Sequence, residues 1–408
     1  MIINDIRSMF PALSRKVYGK DLVYFDNAAT SQRVESVLGE WNRISAESNA
    51  NIHRAVHRLA DEATQAYEAA RDAVKMFLNA EYREEIVFTS GTTAAVNLVA
   101  FSFGEAFVKE GDEVVVTEAE HHSNIVPWQM MCRRKGAVLR VLPVEDDGYL
   151  KVEMLDEILN ERTRILAVTQ ISNVLGIVNP VKEIIEKCHT KGVPVLVDGA
   201  QGIVHCDVDV RDLNCDFYVF SGHKMYAATG TGVLYGKKNW LDQMPPYMGG
   251  GEMVGTVTFA ETTYAPLPMK FEAGTQNFAS AATLKQAIEF INLLKDNKLV
   301  EYYDEIRDFI LDALLKDERI TLYGVPRGTN EDKIPLFSFT VKGVHHEDLA
   351  LILDKMGIAV RSGQMCAEPL MDRFGVTGML RASVAPYNTM EEAEYFVECL
   401  NKAIDMLI

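Results

Sequence analysis

The sequence predicts an α/β fold in which a mostly parallel mixed sheet lies between helices, followed by a smaller α+β domain. Strand and helix signals alternate through the first half of the chain, which is typical of parallel sheets covered by helices on both faces. The run at 193–198 is almost wholly apolar, as expected of a strand buried on both faces. At 408 residues, the chain is long enough for two domains.

The elements of the large domain are predicted in chain order. Residues 1–20 are expected to form a short helix and an extended arm, ahead of a strand at 22–26. From Arg58 to Leu78 apolar residues recur at helical spacing, which predicts a long amphipathic helix. The elements expected next are strands at 85–89, 113–117, 138–141, 164–170 and 194–198, with helices at 90–106, 125–134, 151–160 and 181–191 between them.

The C-terminal part changes character after Tyr235, where prolines and glycines predict a loop-rich passage. Thr389 and Glu392 form a capping-box signature that begins the last helix. The other elements expected here are helices at 280–316 and 347–356 and strands at 336–341, 358–361 and 380–383. The predicted division is a large domain at 20–270, a small domain made of 1–19 and 280–408, and a connecting segment at 271–279.

Composition and charge exclude several classes of protein. A net charge of −17 and a pI near 5.0 argue against a general nucleic-acid or anionic-membrane surface. The N-terminus carries acid where a signal peptide carries base, and no run of about 18 apolar residues occurs. The six cysteines are scattered, so no metal site is predicted. We expect a cytoplasmic protein that binds neither nucleic acid nor membrane.

Two predicted strands end in residues that can carry chemistry. Lys224 follows the strand in 216–235; it is either an ordinary solvated lysine or a desolvated, nucleophilic one that forms a Schiff base with pyridoxal phosphate (PLP). Asp198 ends the strand at 193–198 and could be a metal ligand, a helix N-cap or a turn residue. It could also pair with the protonated ring nitrogen that PLP needs as an electron sink. Two adjacent strand ends fit that last role.

The segment 90–93 (SGTT) opens a predicted helix. Its free backbone N–H groups, its hydroxyls and the positive helix end would all favour a phosphate group. Thr92 or Thr93 would serve equally well as a simple N-cap. In register with Asp198 and Lys224, the segment is the expected cradle for the PLP phosphate.

These segments resemble class V aminotransferases of PLP fold type I, and most closely the cysteine desulfurases of the SufS type. The resemblance covers nearly the whole chain. The segments that carry it are 24–30 (YFDNAAT), 51–54 (NIHR), 90–93 (SGTT), 120–129 (EHHSNIVPWQ), 172–176 (SNVLG), 221–224 (SGHK), 249–252 (GGGE), 271–275 (FEAGT), 361–367 (RSGQMCA) and 381–383 (RAS).

The resemblance assigns residues to cofactor and substrate. It implies that His121 stacks on the pyridine ring and relays a proton, and that Thr275 reaches the phosphate of the PLP in the partner subunit. The residues that it places at the cofactor are Thr92, Thr93, His121, Asn173, Asp198, Gln201, Ser221, His223, Lys224 and Thr275. Those that it places at the substrate are His53, Asn173, Arg361 and Arg381.

One cysteine makes the predicted reaction specific. Cys366 lies in a loop between Arg361 and Pro369, which favours access over burial. A free thiol has a pKa near 8.5, so about a tenth is thiolate near pH 7.5, and neighbouring cations would raise that fraction. Gln364 and Met365 replace two histidines that are common before this cysteine in the family, which argues against activation by histidine. A guanidinium such as that of Arg381 would hold the substrate carboxylate.

The resemblance implies a cysteine desulfurase with Lys224, Cys366 and His121 as catalytic residues. The enzyme would convert L-cysteine to L-alanine, leave a persulfide on Cys366 and supply sulfur for iron–sulfur cluster assembly. A selenocysteine lyase or another class V enzyme, such as an aminotransferase or a kynureninase-like enzyme, would share Lys224 and Asp198. A silent assembly scaffold would lack the lysine or the thiol, and both are present.

The resemblance also implies partners. A homodimer with shared sites is expected from Thr275 and the 249–252 segment. The loop that carries Cys366 is too short to swing far, since an extended residue spans at most about 3.3–3.6 Å. A small acceptor protein would therefore come to the pocket. Glu347 stands where some members that use a zinc-dependent acceptor carry histidine, so a SufE-like acceptor is favoured over a SufU-like one.

Overall fold

The computed structural model describes residues 3–54, 56–297, 299–328 and 330–408. A seven-stranded mixed sheet forms the centre of the large domain. Its strands in chain order are β1 (Ile86–Thr89), β2 (Glu113–Thr117), β3 (Val138–Leu142), β4 (Thr163–Thr169), β5 (Val195–Asp198), β6 (Phe217–Ser221) and β7 (Gly232–Gly236).

The strand order across the sheet is β1-β7-β6-β5-β4-β2-β3. Only β7 runs antiparallel to its neighbours, and the other pairs are parallel. The central strands β5 and β6 are buried throughout, which agrees with their apolar sequences. This architecture confirms the predicted α/β fold with a mostly parallel mixed sheet. Since β5 and β6 are adjacent and parallel, Asp198 and Ser221 lie at the same edge of the sheet.

The helices cover both faces of this sheet and pack in the small domain. The predicted amphipathic helix is present, and it buries Ala63, Tyr67, Ala70 and Val74 at helical spacing. The α-helices are Ile3–Ser8, Glu35–Glu47, Arg58–Phe77, Thr92–Phe107, Val126–Lys135, Leu155–Ile158, Val181–Thr190, Gly202–His205, Val210–Leu213, Lys238–Gln243, Phe278–Asp296, Leu299–Lys316, His346–Lys355, Glu368–Phe374 and Met390–Leu407.

One predicted helix differs from its expected bounds by more than a residue or two. The helix expected at 151–160 is a 3₁₀ turn, Val152–Met154, followed by the short helix Leu155–Ile158, because Asn160 and Thr163 bond to each other in a turn. The helical patterns expected over 280–316 form two helices, Phe278–Asp296 and Leu299–Lys316. The capping box of Thr389 and Glu392 is confirmed.

The small domain contains a four-stranded antiparallel sheet in the order β8-β9-β11-β10. A strand from the beginning of the chain, Val23–Tyr24, pairs in parallel with Ile358–Ala359 and contributes to this domain's core. The division at residue 20 stays a prediction, but the strand that follows it packs with the small domain. The strands are β8 (Ile320–Tyr323), β9 (Leu336–Val341), β10 (Arg361–Gly363) and β11 (Met379–Ser383).

Within the described residues, no helix combines the length and the apolar character needed to cross a bilayer.

Candidate active site

A cavity of about 520 Å³ opens where the carboxyl ends of the central strands face β10 and β11 of the small domain. Most of the predicted site residues line it. They are Thr92, Thr93, His121, Asn173, Asp198, Gln201, Ser221, His223, Lys224, Arg361, Cys366 and Arg381. Residues more than 150 positions apart in the sequence therefore share one site.

Lys224 and Asp198 both line the cavity, Asp198 is buried, and the charges of the two side chains interact. Lys224 lies in the 3₁₀ turn Gly222–Lys224 directly after β6, and Asp198 is the last residue of β5. Burial lowers the pKa of Lys224, against the opposing effect of the Asp198 charge. Burial likewise raises the pKa of Asp198, and Lys224 opposes that shift. A lysine with a lowered pKa supplies more neutral, nucleophilic amine at neutral pH.

The start of helix Thr92–Phe107 forms the predicted anion cradle. The Thr92 backbone N–H donates to Ser221 Oγ over 2.8 Å, and the Thr92 hydroxyl bonds to the same oxygen over 2.9 Å. Gly91 has φ +148°, and a Cβ there would lie 3.2 Å from Ser221 Oγ. Glycine is needed at this position because only it combines that backbone conformation with so close an approach. The cradle therefore places hydroxyls and backbone N–H groups at the positive end of a helix.

His121 lies on the cavity wall as a neutral ring. The backbone N–H of Ser123 donates to its Nδ1 over 3.0 Å, so this nitrogen is an acceptor and the proton is on Nε2. Burial, with the positive charge of Lys224, lowers the pKa of His121 to about 4. The side chain can therefore stack on an aromatic ligand or donate its Nε2 proton at neutral pH.

Gln201 and His223 are held by the segment that follows the strand Val23–Tyr24. Gln201 Nε2 donates to the backbone carbonyl of Ala28 over 2.8 Å. The Ser31 backbone N–H donates to the carbonyl of His223 over 3.0 Å. Burial, with the Lys224 charge, lowers the pKa of His223 to about 4. Both residues are thus fixed neutral groups beside Lys224.

Arg381 is a buried guanidinium with a free donor. It is 3% exposed, its Nη1 donates to the Asn173 carbonyl over 2.8 Å, and its Nη2 lies 3.4 Å from Asp26 Oδ1. Its Nε has no hydrogen-bond partner in the described residues. Burial lowers its pKa to about 10, and Asp26 opposes that shift. A buried donor without a partner is costly, which suits a site that receives a carboxylate.

Two acidic residues of the site were not singled out from the sequence. Asp26 also pairs with Arg361 over 2.9 Å, so one carboxylate orients both arginines. Glu120 is fully buried and accepts from the Thr117 hydroxyl, the Thr169 N–H and the Asn124 side chain. Burial raises its pKa to about 8. Asp26 and Glu120 both lie in segments that carry the family resemblance, and this was the only indication in the sequence that they belong near the site.

Cys366 is exposed on the cysteine loop, residues 364–367, between β10 and helix Glu368–Phe374. Both Met365 and Cys366 have left-handed backbone, with φ of +53° and +55°. Asn173 Nδ2 donates to the Met365 carbonyl over 2.8 Å, and the His122 N–H donates to the Cys366 carbonyl over 2.7 Å. These two bonds hold the thiol at the mouth of the cavity.

The loop contacts a histidine although its own two family histidines are replaced. His122 Nε2 accepts from the backbone N–H of Glu368 over 3.0 Å. This histidine comes from the segment after β2 and contacts the backbone of the loop. No residue next to Cys366 in the sequence indicates this contact, because His122 reaches the loop across the fold.

His53 and Thr275 do not line the cavity. His53, with φ +68°, bonds through Nε2 to Glu68 Oε1 over 3.0 Å, which holds it against helix Arg58–Phe77. The assignment of His53 to the substrate therefore stays a prediction. Thr275 was assigned to a neighbouring subunit's site, and that assignment stays a prediction.

The chain that forms this cavity belongs to the class-V aminotransferase family. The model of that family, Aminotransferase class-V, matches residues 23–396. Among curated relatives, a cysteine desulfurase of Enterobacter sp. (strain 638) is 45% identical over 406 residues, 99% of each chain. A probable cysteine desulfurase of Halalkalibacterium halodurans is 44% identical over 402 residues, 98% of each chain.

Solved structures agree with this assignment. The cysteine desulfurase CsdA from Escherichia coli matches with a TM-score of 0.90 and 39% identity, covering 100% of both chains. The apo cysteine desulfurase from Thermococcus onnurineus NA1 matches with a TM-score of 0.93 and 35% identity, covering 100% of this chain and 99% of the other. The predicted PLP fold type I and the predicted resemblance to cysteine desulfurases are confirmed.

Proposed function

We propose that this protein is a PLP-dependent cysteine desulfurase that converts L-cysteine to L-alanine. The observation that carries the proposal is the position of Cys366, an exposed thiol on the wall of the cavity that also holds Lys224, Asp198 and Arg381. A transaminase needs no such thiol. The similarity to proteins named cysteine desulfurase supports the same reaction.

The residues of the cavity fit PLP. Lys224 would hold it covalently, Asp198 would face its ring nitrogen, and the cradle of Thr92 and Ser221 would take its phosphate. The hydroxyls of Thr92 and Ser221 and the N–H groups at the start of this helix are the features that a phosphate requires. When bound, PLP supplies an electron sink that makes the substrate's α hydrogen acidic.

The chain's own residues can carry out the remaining steps. The Arg381 guanidinium binds the substrate carboxylate, and Asp26 orients it together with Arg361. The Lys224 amine, with its lowered pKa, takes the proton from the α carbon. His121 offers its Nε2 proton from the cavity wall. Arg381 and His121 are already oriented by their neighbours before substrate binds.

Sulfur transfer falls to Cys366. Its thiolate attacks the substrate sulfur and forms an S–S bond, while the carbon–sulfur bond breaks and its electron pair stays with the carbon fragment. Protonation of that fragment leads to alanine, and the transferred sulfur remains on Cys366 as a persulfide. One difficult step is thus divided into two easier ones.

An assay with L-cysteine tests the proposed function. The purified, PLP-loaded protein is incubated with L-cysteine, and alanine and sulfide are both measured. Alanine formed together with sulfide or a protein persulfide supports the proposal. No alanine would refute it. Selenocysteine lyase, the alternative expected from the sequence, has no separate structural observation in its favour.

We further propose that the sulfur goes to iron–sulfur cluster assembly through a small acceptor, as in SufS-type enzymes. The cysteine loop is short and bonded at Met365 and Cys366, so it favours an acceptor that brings its own thiol to the cavity. Glu347, in place of histidine, favours a SufE-like acceptor over a SufU-like one.

This acceptor hypothesis predicts slow turnover on L-cysteine alone, because removal of the persulfide would limit the cycle. Adding a SufE-like protein should increase the rate of alanine formation by about tenfold or more. Alanine is measured with and without the acceptor, and an acceptor variant that lacks its thiol is the control. Fast turnover that no acceptor or reductant changes would contradict the hypothesis.

A homodimer with shared sites is the last part of the proposal. The two segments expected to reach a neighbouring subunit, 249–252 and 271–275, lie together with the 51–54 segment: Gly274 N–H donates to the Gly251 carbonyl over 3.0 Å, and Arg54 pairs with Glu252 over 3.0 Å. A buried bidentate pair of Arg71 and Glu272 fixes the 271–275 segment to the helix that holds His53. None of the residues in these contacts lines the chain's own cavity, which suits a contribution to a second subunit.

Mixed dimers test this arrangement. Thr275→Ala and Lys224→Ala subunits should each be impaired alone, but a heterodimer of the two would contain one complete site. The two subunits are co-expressed with different affinity tags, and the heterodimer is purified. It should have about half the activity of the wild-type dimer, because one of its two sites is complete. No recovery in isolated heterodimers, or a monomer by sedimentation, would contradict shared sites.

A further inference from the structure

The turn at 172–176 is hydrogen-bonded to side chains of the small domain through three of its backbone carbonyls. Three consecutive backbone carbonyls, those of Asn173, Val174 and Leu175, each accept from a buried small-domain side chain. Arg381 Nη1 donates to the first over 2.8 Å, the Ser338 hydroxyl to the second, and Lys333 Nζ to the third over 2.7 Å. Three side chains of the small domain thus hold this turn, and the Ile334 backbone N–H donates to the next carbonyl, that of Gly176, over 2.9 Å.

The strand register explains how these side chains reach neighbouring carbonyls. Ser338 on β9 lies directly opposite Arg381 on β11, so both side chains are on one face of the small sheet. Lys333 precedes β9 and pairs with Ile177 through an isolated antiparallel bridge. Gly176 closes the contact, since a Cβ there would lie 3.0 Å from the Leu336 carbonyl.

Lys333 is the least expected of the three donors. It is 1% exposed, and a buried lysine is costly unless its amine is hydrogen-bonded. Burial lowers its pKa to about 7, and both the charged and the neutral amine carry an N–H donor. The bond to the Leu175 carbonyl therefore persists on both sides of neutral pH.

The turn is also hydrogen-bonded to the loop that carries the Cys366 thiol. Asn173 Nδ2 donates to the Met365 carbonyl, next to Cys366, and both loop residues have left-handed backbone. Such backbone is unfavourable for residues with side chains, so it depends on the contacts that hold it. If the turn were more mobile, the hydrogen bond from Asn173 to the Met365 carbonyl would be lost more often, and the cysteine loop could leave its left-handed conformation.

We propose that Lys333 is a positioning residue for Cys366: with Ser338 it fixes the turn at 172–176, and Asn173 of that turn holds the cysteine loop. The effect on turnover rests on the proposed desulfurase function. The effect on the loop itself does not, so the two can be tested separately.

Hydrogen–deuterium exchange of the PLP-loaded protein tests the inference. In Lys333→Met and in Ser338→Ala, amides of the peptide at 361–367 should exchange about fivefold faster, the effect expected of one lost hydrogen bond. The kcat for alanine formation should fall by a similar factor, with the KM for L-cysteine changed less than about twofold. Lys270→Met is the matched control, since Lys270 also donates to backbone carbonyls, Leu241 and Asp242, but outside the cavity.

The outcomes separate positioning from general stability. Faster exchange confined to 172–176 and 361–367 in both variants, and absent in the control, supports the inference even if the wild type makes no alanine. A lowered melting temperature with unchanged exchange at 361–367 would overturn it. If Lys333→Met does not fold, Ser338→Ala decides alone by the same criterion.

Discussion

Replacing Cys366 with serine should reduce alanine formation by at least about a hundredfold while the PLP absorbance and L-cysteine binding stay close to those of the wild type. The thiol acts only on the substrate sulfur, and it is exposed on a loop whose bonds are made by backbone atoms. A serine hydroxyl has nearly the same size but cannot accept sulfur as a persulfide. Alanine formation and the spectral change on adding L-cysteine are measured in the same preparation.

Cys206→Ser is the control for this change. Cys206 is partly buried, lies outside the cavity, and has its pKa raised to about 11 by burial, so it stays a thiol at neutral pH. Its replacement should leave alanine formation within about twofold of the wild type. Undiminished turnover in Cys366→Ser would show that sulfur leaves without this thiol, and a lyase or transaminase would then be the better hypothesis.

Replacing Lys224 with alanine should abolish both covalent PLP binding and turnover. Lys224 is the lysine that lines the cavity, and its lowered pKa suits both the covalent bond and proton removal from the α carbon. Loss of the general base alone costs about 10²–10⁴-fold in rate. The variant should lack the visible absorbance of lysine-bound PLP, and borohydride should fix no cofactor on the peptide that contains position 224.

The control for this second change is Lys270→Ala. Partial burial also lowers the pKa of Lys270, but its amine bonds to backbone carbonyls outside the cavity. That variant should keep the absorbance and the activity. Borohydride-fixed cofactor in Lys224→Ala would place the anchoring lysine elsewhere in the chain.

Features that depend on neighbouring residues in the sequence were predicted correctly. The apolar run before Asp198 predicts a buried strand, and the order of glycine and hydroxyl residues at 90–93 predicts an anion cradle at a helix start. The long helix followed from its apolar spacing. Backbone preferences and side-chain periodicity act over a few residues, so the sequence alone is sufficient for them.

Contacts between distant segments were decided only by the tertiary structure. Asp26 meets Arg381 across 355 positions, and Lys333 meets the Leu175 carbonyl across 158, with no local pattern that indicates either pair. His53 shows the reverse case: its segment matches the family, yet its bond to Glu68 keeps it away from the cavity of its own chain. Such contacts depend on how the two domains pack, and each residue's local sequence is compatible with many other partners. The sequence by itself therefore determined the strand ends, the cradle and the candidate lysine and thiol, whereas the packing of the domains decided which buried donors and acids hold them in place.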